Sequence, residues 1–478
     1  MTPHHVSRRG VLRGIAGAGV GLTFVGYASA SDGRAQYIVV GRGGGVRREL
    51  ERDGFTVQHE LAGGTVFVLR GPTGAEEELQ RVRGVDEAAR DVRFELEEPE
   101  LEAVPDDLEP DSEHTATDLY PLMWDKQVTD VLAAHDYATG VDTRLAILDT
   151  GIDPDHPDLA ENVDEDLSRL FTSGDPIDDH PWDAHGHGTH VAGTAAARSD
   201  AGAPVSSEET GEATGIVGTA PEAELVSAKV FWFEDPEGHE DEDEPFLTTT
   251  TADILRAIDY SAEIGADAAN MSLGTPPLPP QVNAAGIRVA YERVIQDATR
   301  RGTVVVASAG NSDANLQQGG FFTVPNSTAG SMSISATGPN DLRTFYSNYG
   351  TNEIDVGAPG GGYETLEKTL AEDTDWPYPT NLVLSTVPPR VYGVPYAYFA
   401  GTSMASPQVT GLVGLVRQLH PNSNANQVEQ VIKHGAELVN GQSDPDLGAG
   451  RINALNTVEL LDDGDSGGSN GNGNGRGR

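Results

Sequence analysis

From about Leu119 to Leu461, short apolar runs alternate with stretches of helical spacing, and this alternation restricts the fold more than any other feature of the chain. The runs Arg144–Leu148, Glu224–Val230, Ala268–Met271, Thr303–Ala307, Met332–Ala336 and Ile354–Val356 read as strands, and Thr251–Ile264 and Gln281–Arg301 read as helices. Strands and helices in alternation predict an α/β fold, a parallel sheet with helices on both faces. At 478 residues the chain exceeds what one hydrophobic core supports, so one large domain plus a smaller unit is expected.

The smaller unit spans residues 35–98. Alternating positions in Gln36–Val40 and Gly64–Leu69 predict strands, Val46–Asp53 and Ala75–Val82 helices, and Val92–Leu96 a closing strand, together a small α+β domain. Residues 99–118 carry Pro99, Pro105 and Pro110 among many acidic residues and read as a linker. Ser199–Glu212 and Glu234–Pro245 interrupt the larger domain and read as acidic surface loops, and residues 462–478 form a Gly/Asn/Ser-rich tail expected to be disordered.

Residues 1–30 read Ser7-Arg8-Arg9-Gly10-Val11-Leu12-Arg13, then a short Gly/Ala-rich apolar run, then Ala28-Ser29-Ala30. This is the pattern of a twin-arginine export signal cut near Ala30, which predicts a secreted protein. A membrane anchor is the alternative, but it needs about 20 apolar residues and this run is shorter and broken by glycine.

Acidic side chains number 75 against 31 basic ones, a net charge of −44, which excludes a nucleic-acid partner by repulsion. Carboxylates spread over a globular sequence predict a strongly hydrated surface suited to high salt. The absence of cysteine removes both a disulfide framework and a thiolate nucleophile.

Three segments carry chemistry. Asp149 closes the apolar strand in Leu148-Asp149-Thr150-Gly151-Ile152-Asp153, where open α/β sheets place ligands. His187 lies in Gly186-His187-Gly188-Thr189-His190-Val191-Ala192-Gly193, a crowded turn opening a helix. Ser403 lies in Gly401-Thr402-Ser403-Met404-Ala405-Ser406-Pro407, before an apolar helix. Each has an ordinary reading alone: a strand-ending turn, a histidine cluster with His185 and His190 that could hold a metal, and a helix cap. Together they supply a nucleophile, its base and the acid that orients the base. The order acid, histidine, serine distinguishes this set from chymotrypsin-like and α/β-hydrolase arrangements.

These three segments resemble the signatures of the subtilisin family of serine proteases, a likeness covering about Leu119 to Leu461. Within the family, the acidic surface, the lack of cysteine and the twin-arginine signal look most like the halolysins of salt-loving archaea. The resemblance implies a subtilisin-like sheet preceded by a ferredoxin-like propeptide at 35–98, which assists folding, inhibits the enzyme intramolecularly and is cut away in the linker. It further implies that Asn311, in Ser308-Ala309-Gly310-Asn311-Ser312, donates its amide to the oxyanion. Ser272, Leu273, Gly274 and Gly310 would bind substrate. Asp158, in His156-Pro157-Asp158-Leu159, matches one ligand of a structural calcium site, although the longer acidic insertion at 197–214 departs from the family's ligand loop. A capping or ion-pairing role for Asp158 stands beside that reading. Catalysis needs no cofactor. The expected activity is endopeptidase hydrolysis of polypeptides by a monomer, with a preference for neutral, apolar side chains over basic ones. A narrow processing peptidase and a non-catalytic protein on the same fold are the alternatives.

Overall fold

The computed structural model describes residues 22–27, 34–43, 45–96, 101–104, 119–174, 176–198, 215–234, 245–275, 277, 286–317, 322–439 and 443–466. Most of the export-signal stretch, of the acidic linker and of the two acidic loops lies outside the described residues, as does the tail beyond Ser466.

A seven-stranded sheet runs in the order Val356–Pro359, Ser331–Thr337, Val304–Ser308, Ala268–Met271, Arg144–Ile147, Glu224–Lys229 and Arg169–Leu170, every pairing parallel. Its strands are apolar at successive positions because both faces are covered. Leu145 and Ile147 join one core, together with Val304 and Val306, while Ala146 and Leu148 join the other with Val305 and Ala307. The first core is closed by the helices His187–Ala196, Thr402–Leu419 and Ala425–Gly435, and the second by Thr251–Glu263 and Ile287–Arg301. Val409, Leu412, Val413, Leu415 and Val416 of the serine helix are fully buried, each contributing roughly 1.5–3 kcal/mol of transfer free energy.

The N-terminal unit is an antiparallel sheet in the order Thr56–Leu61, Val66–Pro72, Arg34–Gly41 and Val85–Arg90, with helices Val46–Arg52 and Glu76–Arg81. Its chain order, strand-helix-strand-strand-helix-strand, is ferredoxin-like. Tyr37, Val39, Phe67 and Leu69 pack on the unit's own helices, whereas Ile38, Val40, Val66 and Val68 pack with Ile254, Tyr291 and Val294 of the larger domain. One face of this small sheet therefore depends on the larger domain for its cover.

Four sequence expectations need correction. The unit has two strands that its pattern did not show, Thr56–Leu61 and Val85–Arg90, because both are largely polar and half exposed. Val92–Leu96 leaves the unit's sheet and pairs instead with Phe246–Thr250 of the larger domain and with Leu22–Tyr27, a strand inside the stretch read as export signal. Leu101–Ala103, inside the presumed linker, adds a strand to Tyr396–Ala400, anchored by the buried Leu101. The final helix, Ala454–Ser466, continues past Leu461 into the stretch read as tail. Among the described residues no helix is long and apolar enough to cross a membrane.

Candidate active site

Three parallel strands deliver functional groups at their carboxyl ends. Asp149 follows Arg144–Ile147, Ser272 follows Ala268–Met271, and Asn311 follows Val304–Ser308. His187 and Ser403 each stand in the first turn of a buried helix.

Asp149 is fully buried, and its Oδ1 accepts from His187 Nδ1 at 2.7 Å and from the Thr150 amide at 2.7 Å. This contact fixes the orientation of the ring through Nδ1. The helix reaches this position only because its entry residues lack side chains. A Cβ on Gly188 would lie 2.2 Å from Gly151 O, and Gly186 has φ +122° with no room beside Tyr392. His190, one turn further on, does not face the site. It stacks on Phe399 at 4.3 Å, and Nε2 bonds to the carbonyls of Val383 and Ala397. Burial, then the nearby His187, lowers its pKa to about 3, so it remains neutral.

Ser403 Oγ donates to Ser272 O at 3.3 Å. Ser272 contributes its hydroxyl to structure rather than to an open pocket. It donates to Ser403 O at 2.8 Å, lies 2.9 Å from Ser406 Oγ and accepts from Asn270 Nδ2 at 2.9 Å. Asn270 Oδ1 in turn accepts from Thr410 Oγ1. The strand end and the serine helix are thus tied by a buried polar chain.

Asn311 is held from its oxygen side. Oδ1 accepts from the Thr402 amide at 2.9 Å and from Thr402 Oγ1 at 2.6 Å, which fixes the amide's orientation and turns Nδ2 away. Nδ2 is buried and has no acceptor among the described residues. A fixed, unspent donor beside Ser403 is what a developing oxyanion requires. Gly310 serves the same clamp, its amide donating to Thr402 Oγ1 at 3.1 Å. With φ +95°, and with Asn348 Nδ2 2.6 Å from any Cβ, only glycine fits there. Leu273 is buried in the second core, and Gly274 is buried too, with Val324 O, Ser308 O and Asn326 Oδ1 at ordinary contact distance from any Cβ.

Sequence reasoning missed Asp183. This fully buried carboxylate accepts from Thr150 Oγ1, the amides of His185, Gly186 and Thr189, and Thr189 Oγ1, at 2.7 to 3.0 Å. Burial pushes its pKa up, but the Thr189 hydroxyl, the charge of His185 and the amides outweigh that, and the net shift is downward. It staples the turn carrying His187 to the turn after Asp149. An aspartate bonding amides two and three residues ahead is a local signal that could have been read in Asp183-Ala184-His185-Gly186.

Asp158 Oδ2 accepts from the Ile216 amide and from Tyr396 OH, both at 2.9 Å. Among the described residues no group of three or more histidine or acidic side chains is placed to hold a metal ion. Other ligands from 199–214 would lie outside the described residues.

An imidazole bonded to a buried carboxylate, a serine at a helix start and a clamped amide donor belong to the serine-type hydrolases. The chain is a member of the subtilase family, whose model matches residues 140–457. It is 32% identical over 349 residues to the M-protease of Shouchella clausii, covering 73% of this chain and 72% of that protein. It is 32% identical over 323 residues to subtilisin Savinase of Lederbergia lenta, covering 67% and 93%, and 31% identical over 331 residues to thermitase of Thermoactinomyces vulgaris, covering 68% and 92%. The solved epidermin leader peptide processing serine protease of Staphylococcus aureus matches in fold, with a TM-score of 0.66 at 20% identity over 92% of this chain and all of that one. The protein is a serine-type endopeptidase that acts on polypeptides.

Proposed function

We propose that Asp149, His187 and Ser403 form the catalytic triad and that Asn311 supplies the oxyanion donor. Ser403 Oγ attacks the scissile carbonyl carbon and gives its proton to His187 Nε2, while Asp149 stabilises the resulting imidazolium. The negative oxygen is taken by Asn311 Nδ2 and the Ser403 backbone N–H. Collapse of the tetrahedral species expels the amine, which takes the proton from His187. Water, activated by the same imidazole, then releases the acid from the acyl-enzyme. The observation that supports this most is the pairing of Asp149 Oδ1 with His187 Nδ1 at 2.7 Å.

In the same reading, residues 35–98 are a propeptide that inhibits the cleft until the chain cuts itself in the segment that follows, and the protein is exported by the twin-arginine route. The docked strand Val92–Leu96 and the net charge of −44 support an autoprocessed precursor and an enzyme at home in high salt. A structural calcium at Asp158 would require ligands from the acidic insertion.

The test compares the full chain with Ser403→Ala, both refolded in molar NaCl and incubated with an unstructured protein. The parent should shorten from its N-terminus and degrade the substrate, while the variant stays at full length and inert. Processing and cleavage by Ser403→Ala would overturn the assignment. Full activity of the parent at low ionic strength would remove the salt reading alone.

A further inference from the structure

The helices that carry His187 and Ser403, His187–Ala196 and Thr402–Leu419, meet through small and apolar residues. Ala192, Ala195, Ala196, Val409 and Leu412 are fully buried, and a Cβ on Gly411 would lie 2.7 Å from Ala195 O. Such contacts hold the helices close but are non-directional, so they leave open how far one helix slides along the other. Direction comes from a buried polar cluster on a third element.

The short helix Trp124–Val128 is pinned by the buried Trp124, whose Nε1 donates to Leu382 O at 2.9 Å. Its next two side chains, Asp125 and Lys126, are fully buried. Lys126 Nζ donates to Thr194 O of the histidine helix at 2.9 Å, to Thr219 Oγ1 at 3.2 Å and to Gln408 Oε1 of the serine helix. Gln408 Nε2 donates to Asp125 Oδ2 at 2.7 Å, and that oxygen lies 3.4 Å from Lys126 Nζ. An ammonium has three hydrogens, and each finds its own acceptor here. The Gln408 amide is oriented by a cation on its oxygen side and a carboxylate on its nitrogen side. Thr194 O is among the last four carbonyls of its helix, which lack intrahelical donors and favour a cation.

We propose that Lys126 is a positioning residue for the reaction: its buried ammonium, held by Asp125, fixes the helix of His187 against the helix of Ser403. The inference rests on the triad reading. Thr194 stands about 10 Å along its helix from His187, and Gln408 about 7.5 Å from Ser403, at about 1.5 Å per residue. Over one or two turns a helix moves as a unit, so a slip between the two tie points passes to the gap between His187 and Ser403. There a shift of about 1 Å lowers the rate by about 10²-fold. Lys126 and Asp125 are too deeply buried to meet substrate, so their effect falls on kcat rather than on binding.

The experiment uses the full chain after activation and measures kcat and KM on one peptide, per folded molecule, together with the thermal midpoint. Lys126→Met should lower kcat by about 10–10²-fold and leave KM within about twofold. It also strands Asp125 as a buried unpaired charge, so the midpoint should fall. Asp125→Leu with Lys126→Met removes both charges, and exchanging a buried ion pair for apolar side chains of similar size is often neutral to stability. That double variant should regain the midpoint while its kcat stays more than threefold below the parent's, a split that a purely structural role would not produce. Gln408→Leu, which leaves the ion pair in place, should lower kcat by about tenfold and reads the tie even where the lysine variants fail to fold. Recovery of kcat to within threefold in the double variant, a loss that falls on KM instead, or an unchanged kcat in Gln408→Leu overturns the role of Lys126 and leaves the triad standing. Full activity of Ser403→Ala overturns the triad reading itself.

Discussion

Asp183 and Asp91 are both fully buried aspartates, yet they titrate in opposite directions. Asp183, between the turns that carry Asp149 and His187, collects five donors and is held below the ordinary carboxylate range. Asp91 lies where the N-terminal unit meets the larger domain and receives the Gln36 amide at 2.8 Å and the Ala252 N–H at 3.2 Å. Burial first, and then the neighbouring Asp253, push its pKa up to about 7. At equal depth, the donors around a carboxylate and the charges beside it decide whether it stays charged. The region that must hold one geometry satisfies its buried charge, and the contact proposed to be discarded does not.

Predictions that sharpen this contrast can be ranked by size. Ser403→Ala should lower kcat by about 10⁶-fold, the scale known for loss of the nucleophile in subtilisin, in single-turnover assays on a peptide substrate. Asn311→Ala should lower kcat by roughly 10²–10³-fold with little change in KM, because the donor acts on the transition state alone. Asp183→Asn should reduce kcat by roughly 10–10²-fold through misplacement of His187. It should also move the acid limb of the kcat/KM profile to lower pH, since the imidazolium loses a nearby negative charge. A variant that kept both kcat and the acid limb would reduce Asp183 to a structural tie.

The fourth prediction concerns the interface. Asp91 faces Gln36 on its own sheet, Asp253 on the helix Thr251–Glu263, where Arg256 pairs with Asp253, and Tyr291 on the helix Ile287–Arg301. Because its pKa is raised on docking, its contribution to docking is fully present below about pH 4 and is lost as pH rises to about 7. Affinity of the N-terminal unit should fall by at most tenfold per pH unit across that window and level off above it. Asp253→Asn should flatten the slope, as measured by inhibition of the mature enzyme by the added N-terminal unit. An unchanged slope in that variant would remove the acid pair as its cause.

What was legible in the sequence followed from locality. The strands Arg144–Ile147, Ala268–Met271 and Val304–Ser308 show in the sequence because cover on both faces makes them continuously apolar. The segments around Asp149, His187 and Ser403 were legible because each packs its chemistry and its small residues into a few positions. The supports were not, since Thr402 reaches Asn311 across 91 positions and Thr410 reaches Asn270 across 140. Leu101–Ala103 was hidden by its acidic surroundings, and Thr56–Leu61 by its polar, half-exposed face.

The central claim is that Ser403 is a nucleophile activated by His187. A phosphonofluoridate transfers its phosphorus to an activated serine oxygen with loss of fluoride, and peptide mass analysis locates the adduct. The account requires one adduct on the peptide containing Ser403, formed in step with loss of activity and abolished in His187→Ala. An adduct on another serine that tracks the loss of activity, or equal labelling of Ser403 without His187, would contradict it.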